Sequence, residues 1–143
     1  SARIKEAIVN RDEKEIGERA SLNLGHTVGH AIESLAHDQG REMKHGVAVA
    51  WGLVFTLEAS VIKMGVDPTT AEELQNWIVS EISKGIVVDG ADAVWSKMSQ
   101  DKKNVKGNVI DVLMIAPGEV KWDFVWEREE FTILWEKFRG RYT

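Results

Sequence analysis

Residues 19–46 read RASLNLGHTVGHAIESLAHDQGREMKHG and hold all four histidines of the chain. Counted at ~100° per residue, Arg19, Asn23, His26, His30, Glu33 and His37 fall within roughly 80° of one helix face. On the opposite side, Leu24, Val28, Ala31, Ile32 and Leu35 follow the spacing of a core-facing helix. The stretch therefore predicts a helix with one polar, imidazole-rich face and one apolar face. Gly25, Gly29 and Ala36 lie between the two, and a glycine in a helix interior costs about 1 kcal/mol relative to alanine. Two such glycines predict a close approach, either by a neighbouring helix backbone or by a ligand that a Cβ would obstruct.

Two imidazoles four residues apart on a helix can reach one metal ion, and His45 offers a third nitrogen from the next element. A bare HxxxH is a weak signal, since two hydrogen-bonded histidines on a half-buried face give the same spacing. The neighbours strengthen the metal reading. An arginine, an asparagine and two histidines share one face with no apolar residue between them, and burying such a face is costly unless a ligand satisfies it.

The whole 143-residue sequence sets bounds on this reading. The length fits one domain with a real core. No cysteine is present, so any metal must use His, Asp, Glu or water, and a reducing compartment is expected. A net charge of −5 and a pI near 5.4 argue against a nucleic-acid surface. No signal-peptide pattern opens the sequence, and the longest uncharged run, Gly46 to Leu57, is short of the ~20 apolar residues that span a bilayer. A soluble, cytoplasmic protein is therefore expected. Trp95, Trp122, Trp126 and Trp135 predict a C-terminal part packed by large aromatics.

Ser1 to Asn10 reads as a short helix, and Asp12 to Arg19 as a charged connector in which Gly17 permits a turn. Gly40 is the expected stop of the histidine helix. Lys44 to Met64, ended by Gly65, reads as a long buried central helix. His45 falls in its first turn, where the helix dipole disfavours an imidazolium and leaves a lone pair available to a metal. Pro68 to Ile82 predicts an amphipathic helix capped by Asp67, with Leu74, Trp77, Ile78 and Ile82 as its apolar stripe. Ala91 to Met98 predicts a short helix leading to Asp101-Lys102-Lys103-Asn104. Asn108 to Ile115 and Glu119 to Val125, around Pro117-Gly118, give the one hairpin signal. Glu127 to Arg139 reads as a closing helix, so the fold class is mainly α with one small β-hairpin near the C-terminus.

Several of these segments together resemble the 3-dehydroquinate synthase family. The resemblance rests on Lys5, on the spaced residues Asp12, Glu15, Gly17 and Arg19, and on LNLGHTVGHAIE from Leu22 to Glu33. HGVAVAWG from His45 to Gly52, and DKKN from Asp101 to Asn104 ahead of a short hairpin, complete it in order. The resemblance implies that residues 1–143 form the C-terminal helical metal- and substrate-binding domain. It implies His26 and His45 as ligands of a divalent metal, zinc or cobalt, with a glutamate upstream of the matched segment as a third. His30 would then face the substrate. Lys5, Arg19 and Asn23 would bind its anionic and hydroxyl groups, Glu15 would help order proton transfer, and Lys102 or Lys103 would supply a cation on the phosphate side. Lys5, Glu15 and His30 are the implied catalytic residues.

Val47 stands where the family often has a glutamate, a position that is not a metal ligand. Family members also carry an NAD-binding α/β domain and the glutamate-bearing helix ahead of the matched part. Neither is among these residues, and no G-x-G-x-x-G unit is present. The chain looks like a C-terminal fragment or one half of a split enzyme, inactive in isolation and homodimeric in its complete form. The implied reaction is that of an NAD- and metal-dependent lyase of the shikimate pathway of aromatic amino acid biosynthesis. It converts 3-deoxy-D-arabino-heptulosonate 7-phosphate, a phosphorylated sugar acid, to 3-dehydroquinate and phosphate. The alternatives are a related sugar-phosphate cyclase of the inosose synthase type, a metal-dependent polyol dehydrogenase, and a non-catalytic helical binding or dimerisation module. Lys5, Arg19 and Asn23 argue against the dehydrogenase, whose substrate has no carboxylate or phosphate to bind.

Overall fold

The computed structural model describes residues 23–82, 89–100, 108–116 and 119–142. The expected first helix, the charged connector with Glu15 and Arg19, Lys5, the Lys102-Lys103 pair and the Pro117-Gly118 turn lie outside the described residues. Within them the order is α1 (His26–Asp38), α2 (His45–Met64), α3 (Pro68–Glu81), α4 (Ala91–Ser99), β1 (Val109–Ala116), β2 (Glu119–Trp126) and α5 (Arg128–Tyr142). The described part is thus mainly α with one antiparallel hairpin, as the sequence predicts.

The histidine helix begins later than its periodicity suggests. Gly25 has φ 80°, a left-handed conformation that cannot continue a right-handed helix. The Asn23 carbonyl accepts a hydrogen bond from the His26 amide at 3.0 Å, so Asn23 sits in a turn and not on the helix face assigned to it by the 100° count. Gly25 is therefore a helix boundary and not an interior glycine. The expectation of a close backbone approach is met by α2. A Cβ on Gly25 would stand 2.5 Å from the Leu53 nitrogen, and one on Gly29 2.9 Å from the Val49 Cα. From the other side, a Cβ on Gly52 would overlap the Gly25 carbonyl oxygen and come within 2.7 Å of the Gly29 nitrogen. Side chains at these positions would separate the two helices.

The central helix α2 buries almost every residue from Ala48 to Leu57 and ends at Gly65, whose φ of 74° breaks it. It is 20 residues long, and its most apolar 18-residue stretch has a mean hydropathy of 1.6, enough by length and composition to cross a membrane, but 67% of that stretch is buried. α1, α3, β1 and α5 pack around it, which makes it the core helix. Asp67 caps α3 as expected, its Oδ2 accepting from the Thr70 amide at 3.0 Å and the Thr70 hydroxyl at 2.9 Å. Of the predicted α3 stripe, Ile78 is fully buried while Leu74, Trp77 and Ile82 pack half-buried against the core.

The C-terminal half closes the core with aromatics. Phe55 of α2 has the rings of Trp126, Phe131, Trp135 and Phe138 at 5.9, 5.5, 5.2 and 5.3 Å, several of them in the edge-to-face arrangement that aromatic pairs favour. Trp122 departs from the expectation of buried tryptophans, being 59% exposed on the outer face of the hairpin. The hairpin is tied to α2 by Ser60, which accepts from the Met114 amide at 2.9 Å and donates to the Thr56 carbonyl at 2.7 Å. Ion pairs Lys63–Glu130 and Arg141–Glu58 join α2 to α5. The helix α1 packs between α2 and α4.

Candidate metal centre

His26 and His30 project from one face of α1, and His45 is the first residue of α2. The glycine contacts between the helices bring all three imidazoles together. Ring centroids lie 5.5 Å apart for His26 and His30, 6.2 Å for His26 and His45, and 5.5 Å for His30 and His45. Two imidazoles on one tetrahedral zinc, with Zn–N of about 2.0–2.1 Å, would place their centroids roughly 5 Å apart. Each observed pair is within little more than an ångström of that spacing. The donor set is also right in kind: neutral imidazole and carboxylate are ligands zinc and cobalt accept. By ligand atoms, the group among the described residues that could hold a divalent metal is His30, Glu33 and His45, and His26, an implied ligand, is not part of it.

Glu33, one turn after His30, completes the cluster. Its Oε1 lies 3.0 Å from Nδ1 of His45 and 3.8 Å from Nδ1 of His30. Potential ligand atoms of His30, Glu33 and His45 all fall within 4.8 Å of one another. The sequence reading placed Glu33 on the polar face but gave it no role. The signal was its position seven residues after His26 and three after His30, which keeps it on the same side of the helix.

His30 also lines two clefts. One, of about 570 Å³, is walled by His30, Glu33, Ser34, His37, Arg41 and Met43. The other, of about 220 Å³, runs between Thr27, His30, Ser34, Lys97 and Gln100. The buried Thr27 hydroxyl on its wall has no hydrogen-bond partner among the described residues. A larger cleft of about 620 Å³ lies elsewhere, between α2, α3 and α5, and is lined by no histidine. Arg41, which sequence reasoning passed over, is fixed at the cleft wall by the buried carboxylate of Asp89, with Nη2 3.1 and 3.3 Å from its two oxygens. Asn23 lies exposed in the turn before α1.

Sequence comparison adds independent information. Residues 1–104 match the family described as 3-dehydroquinate synthase C-terminal. A 3-dehydroquinate synthase of Leptospira interrogans is 37% identical over 145 residues, covering 98% of this chain and 38% of the relative. One from Rhodopseudomonas palustris is 39% identical over 128 residues, covering 82% of this chain and 33% of the relative. A bifunctional 3-dehydroquinate synthase/phosphatase of Fusobacterium nucleatum is 34% identical over 143 residues, covering 99% and 21%. The chain thus spans less than half the length of each of these relatives. With its histidine motif, its helical architecture and the matched region in agreement, the chain belongs to the 3-dehydroquinate synthase family.

Proposed function

We propose that residues 1–143 form the C-terminal metal- and substrate-binding domain of a cytoplasmic 3-dehydroquinate synthase. The enzyme would convert 3-deoxy-D-arabino-heptulosonate 7-phosphate to 3-dehydroquinate and phosphate in the shikimate pathway. The observation that carries this reading is the convergence of His26, His30 and His45 from two helices inside the region matched to the family. His26 and His45 would hold zinc or cobalt, together with a carboxylate from outside this chain. NAD would be bound by an N-terminal domain, and the complete enzyme would be a homodimer. A bound metal would supply Lewis acidity and a template for substrate oxygens.

The chain's own residues then have separable tasks. His30 borders both clefts and is 51% exposed, so its ring can donate to or accept from a substrate hydroxyl without leaving α1. Lys5 and Arg19 would pair with the substrate's anionic groups, Asn23 with a hydroxyl, and Lys102 or Lys103 with its phosphate. Glu15 would order the proton-transfer site.

The test is complementation in the tube. The chain, joined to or mixed with the N-terminal part of a relative, is assayed for phosphate release from the heptulosonate phosphate and from glucose 6-phosphate. Turnover of the first alone supports the reading. Turnover of the second alone assigns an inosose synthase type of cyclase, and turnover of neither by folded, metal-loaded protein leaves a non-catalytic module.

A further inference from the structure

Among the described residues, Glu33 is the carboxylate that contacts the imidazoles, and neither the proposed ligand set nor the substrate contacts use it. Its Oε1 lies 3.0 Å from Nδ1 of His45, within the ordinary N–H···O range. An ionised carboxylate can only accept, so the hydrogen of this contact belongs to Nδ1. A neutral imidazole carries one N–H, and placing it on Nδ1 leaves the lone pair on Nε2. The bond crosses from the middle of α1 to the first residue of α2 and so links the two elements that bear the proposed ligands.

We infer that Glu33 is a positioning residue for the metal centre: it holds the His45 ring and fixes its tautomer so that Nε2 is presented to a divalent cation. The inference rests on the proposed reading of His26 and His45 as ligands. Its chemistry is that of the carboxylate–histidine–metal arrangement, in which an outer carboxylate orients the ring and raises its basicity. The geometry favours this role over direct ligation by Glu33. The carboxylate already points along a hydrogen bond to the ring nitrogen, and the His30 nitrogen is farther away at 3.8 Å. Glu33 also sits on a helix whose separation from α2 is set by Gly25, Gly29 and Gly52, so the length of the link is fixed by backbone packing.

Cobalt(II) titration of the chain joined to the N-terminal part of a relative, which would supply the outside carboxylate, read by its visible spectrum, and nitrogen NMR of the metal-free imidazoles test the inference in the wild type and in Glu33→Gln and Glu33→Ala. Glu33→Ala should weaken cobalt binding by about tenfold to a hundredfold and give His45 a mixture of tautomers. Glu33→Gln, whose amide oxygen can accept the same hydrogen, should keep the Nδ1–H tautomer and most of the affinity. The inference is overturned if Glu33→Ala leaves affinity and tautomer unchanged while His26→Ala and His45→Ala abolish binding. It is equally overturned if Glu33→Gln loses cobalt as completely as His45→Ala with a lower coordination number, since Glu33 is then a ligand. Cobalt binding that is absent from the wild type, or indifferent to both histidine variants, removes the metal-centre reading and the inference with it. Thermal melts identify any variant that fails to fold, and the isosteric glutamine variant carries the test in that case.

Discussion

The backbone of Gly52 in α2 lies against the Gly25 carbonyl before α1, so closely that a Cβ at position 52 would overlap that oxygen. This contact sets the distance between the helices and hence between the histidines they carry. Gly52→Ala should therefore lower stability by about 1–3 kcal/mol, the usual cost of overpacking a well-packed core. It should also weaken metal binding in the protein that remains folded. Denaturant unfolding and cobalt titration on the same sample check both, and a stable variant with unchanged affinity would show that the helices can part without disturbing the site.

The three histidines should separate by function. His26→Ala and His45→Ala are expected to lose metal, because catalytic zinc normally keeps three protein ligands and the loss of one leaves a weak site. His30→Ala should keep metal and lose turnover in the complemented enzyme, since its ring opens on the clefts. Metal analysis after dialysis, paired with activity, distinguishes them. The reverse pattern, with metal lost from His30→Ala and kept by His26→Ala, would transfer the ligand role to the His30, Glu33 and His45 group.

Much of this was legible in the sequence, for a local reason. Helical periodicity is a property of consecutive residues, so the apolar stripe of α1, the Asp67 cap and the glycine stop at Gly65 could be read directly. The start of α1 could not. Apolar periodicity continues through Leu24, and only the backbone conformation of Gly25 reveals that this glycine ends one segment instead of sitting within a helix. The Glu33–His45 bond was hidden for a different reason. It joins residues 12 apart across a helix–helix junction, and no single-helix count relates their directions. The Arg41–Asp89 pair, 48 residues apart, is concealed in the same way.

Asp38, in the last turn of α1, supplies a pH-dependent link to α4. Lys97 lies 2.6 Å from its carboxylate, and this hydrogen bond, followed by the lysine's charge, holds the Asp38 carboxyl below the usual range. A depressed carboxyl pKa stabilises the folded state above the unfolded pKa, and that contribution is lost as pH falls through the folded value. The group is exposed, so the effect is small and screened by salt. Asp38→Asn should lower the melting temperature slightly at neutral pH. Its difference from wild type should shrink at the acid end of the carboxylate range and at high ionic strength. A difference that persists in acid would mean that the side chain acts through packing and not through charge.

Lys5 and Arg19 carry the most demanding expectation, because their assignment comes from the family motif. Glu15 lies four residues before Arg19 in the sequence, so a structural ion pair is the competing role for that arginine. The magnitudes separate the two. An i,i+4 ion pair is worth about 0.3–0.5 kcal/mol, whereas a charge-assisted contact to a substrate carboxylate or phosphate is worth about 1.5–3 kcal/mol. In the complemented enzyme, Lys5→Ala and Arg19→Ala should each lower kcat/KM by roughly tenfold to a hundredfold or more. Metal content should stay unchanged, since neither cation can ligate a metal. Glu15→Gln supplies the control for stability: if Arg19 serves only the ion pair, the two variants should lose the same small amount of melting temperature. Near-wild-type turnover in folded Lys5→Ala and Arg19→Ala protein would withdraw the substrate-binding role from both and return them to a solvated charge cluster.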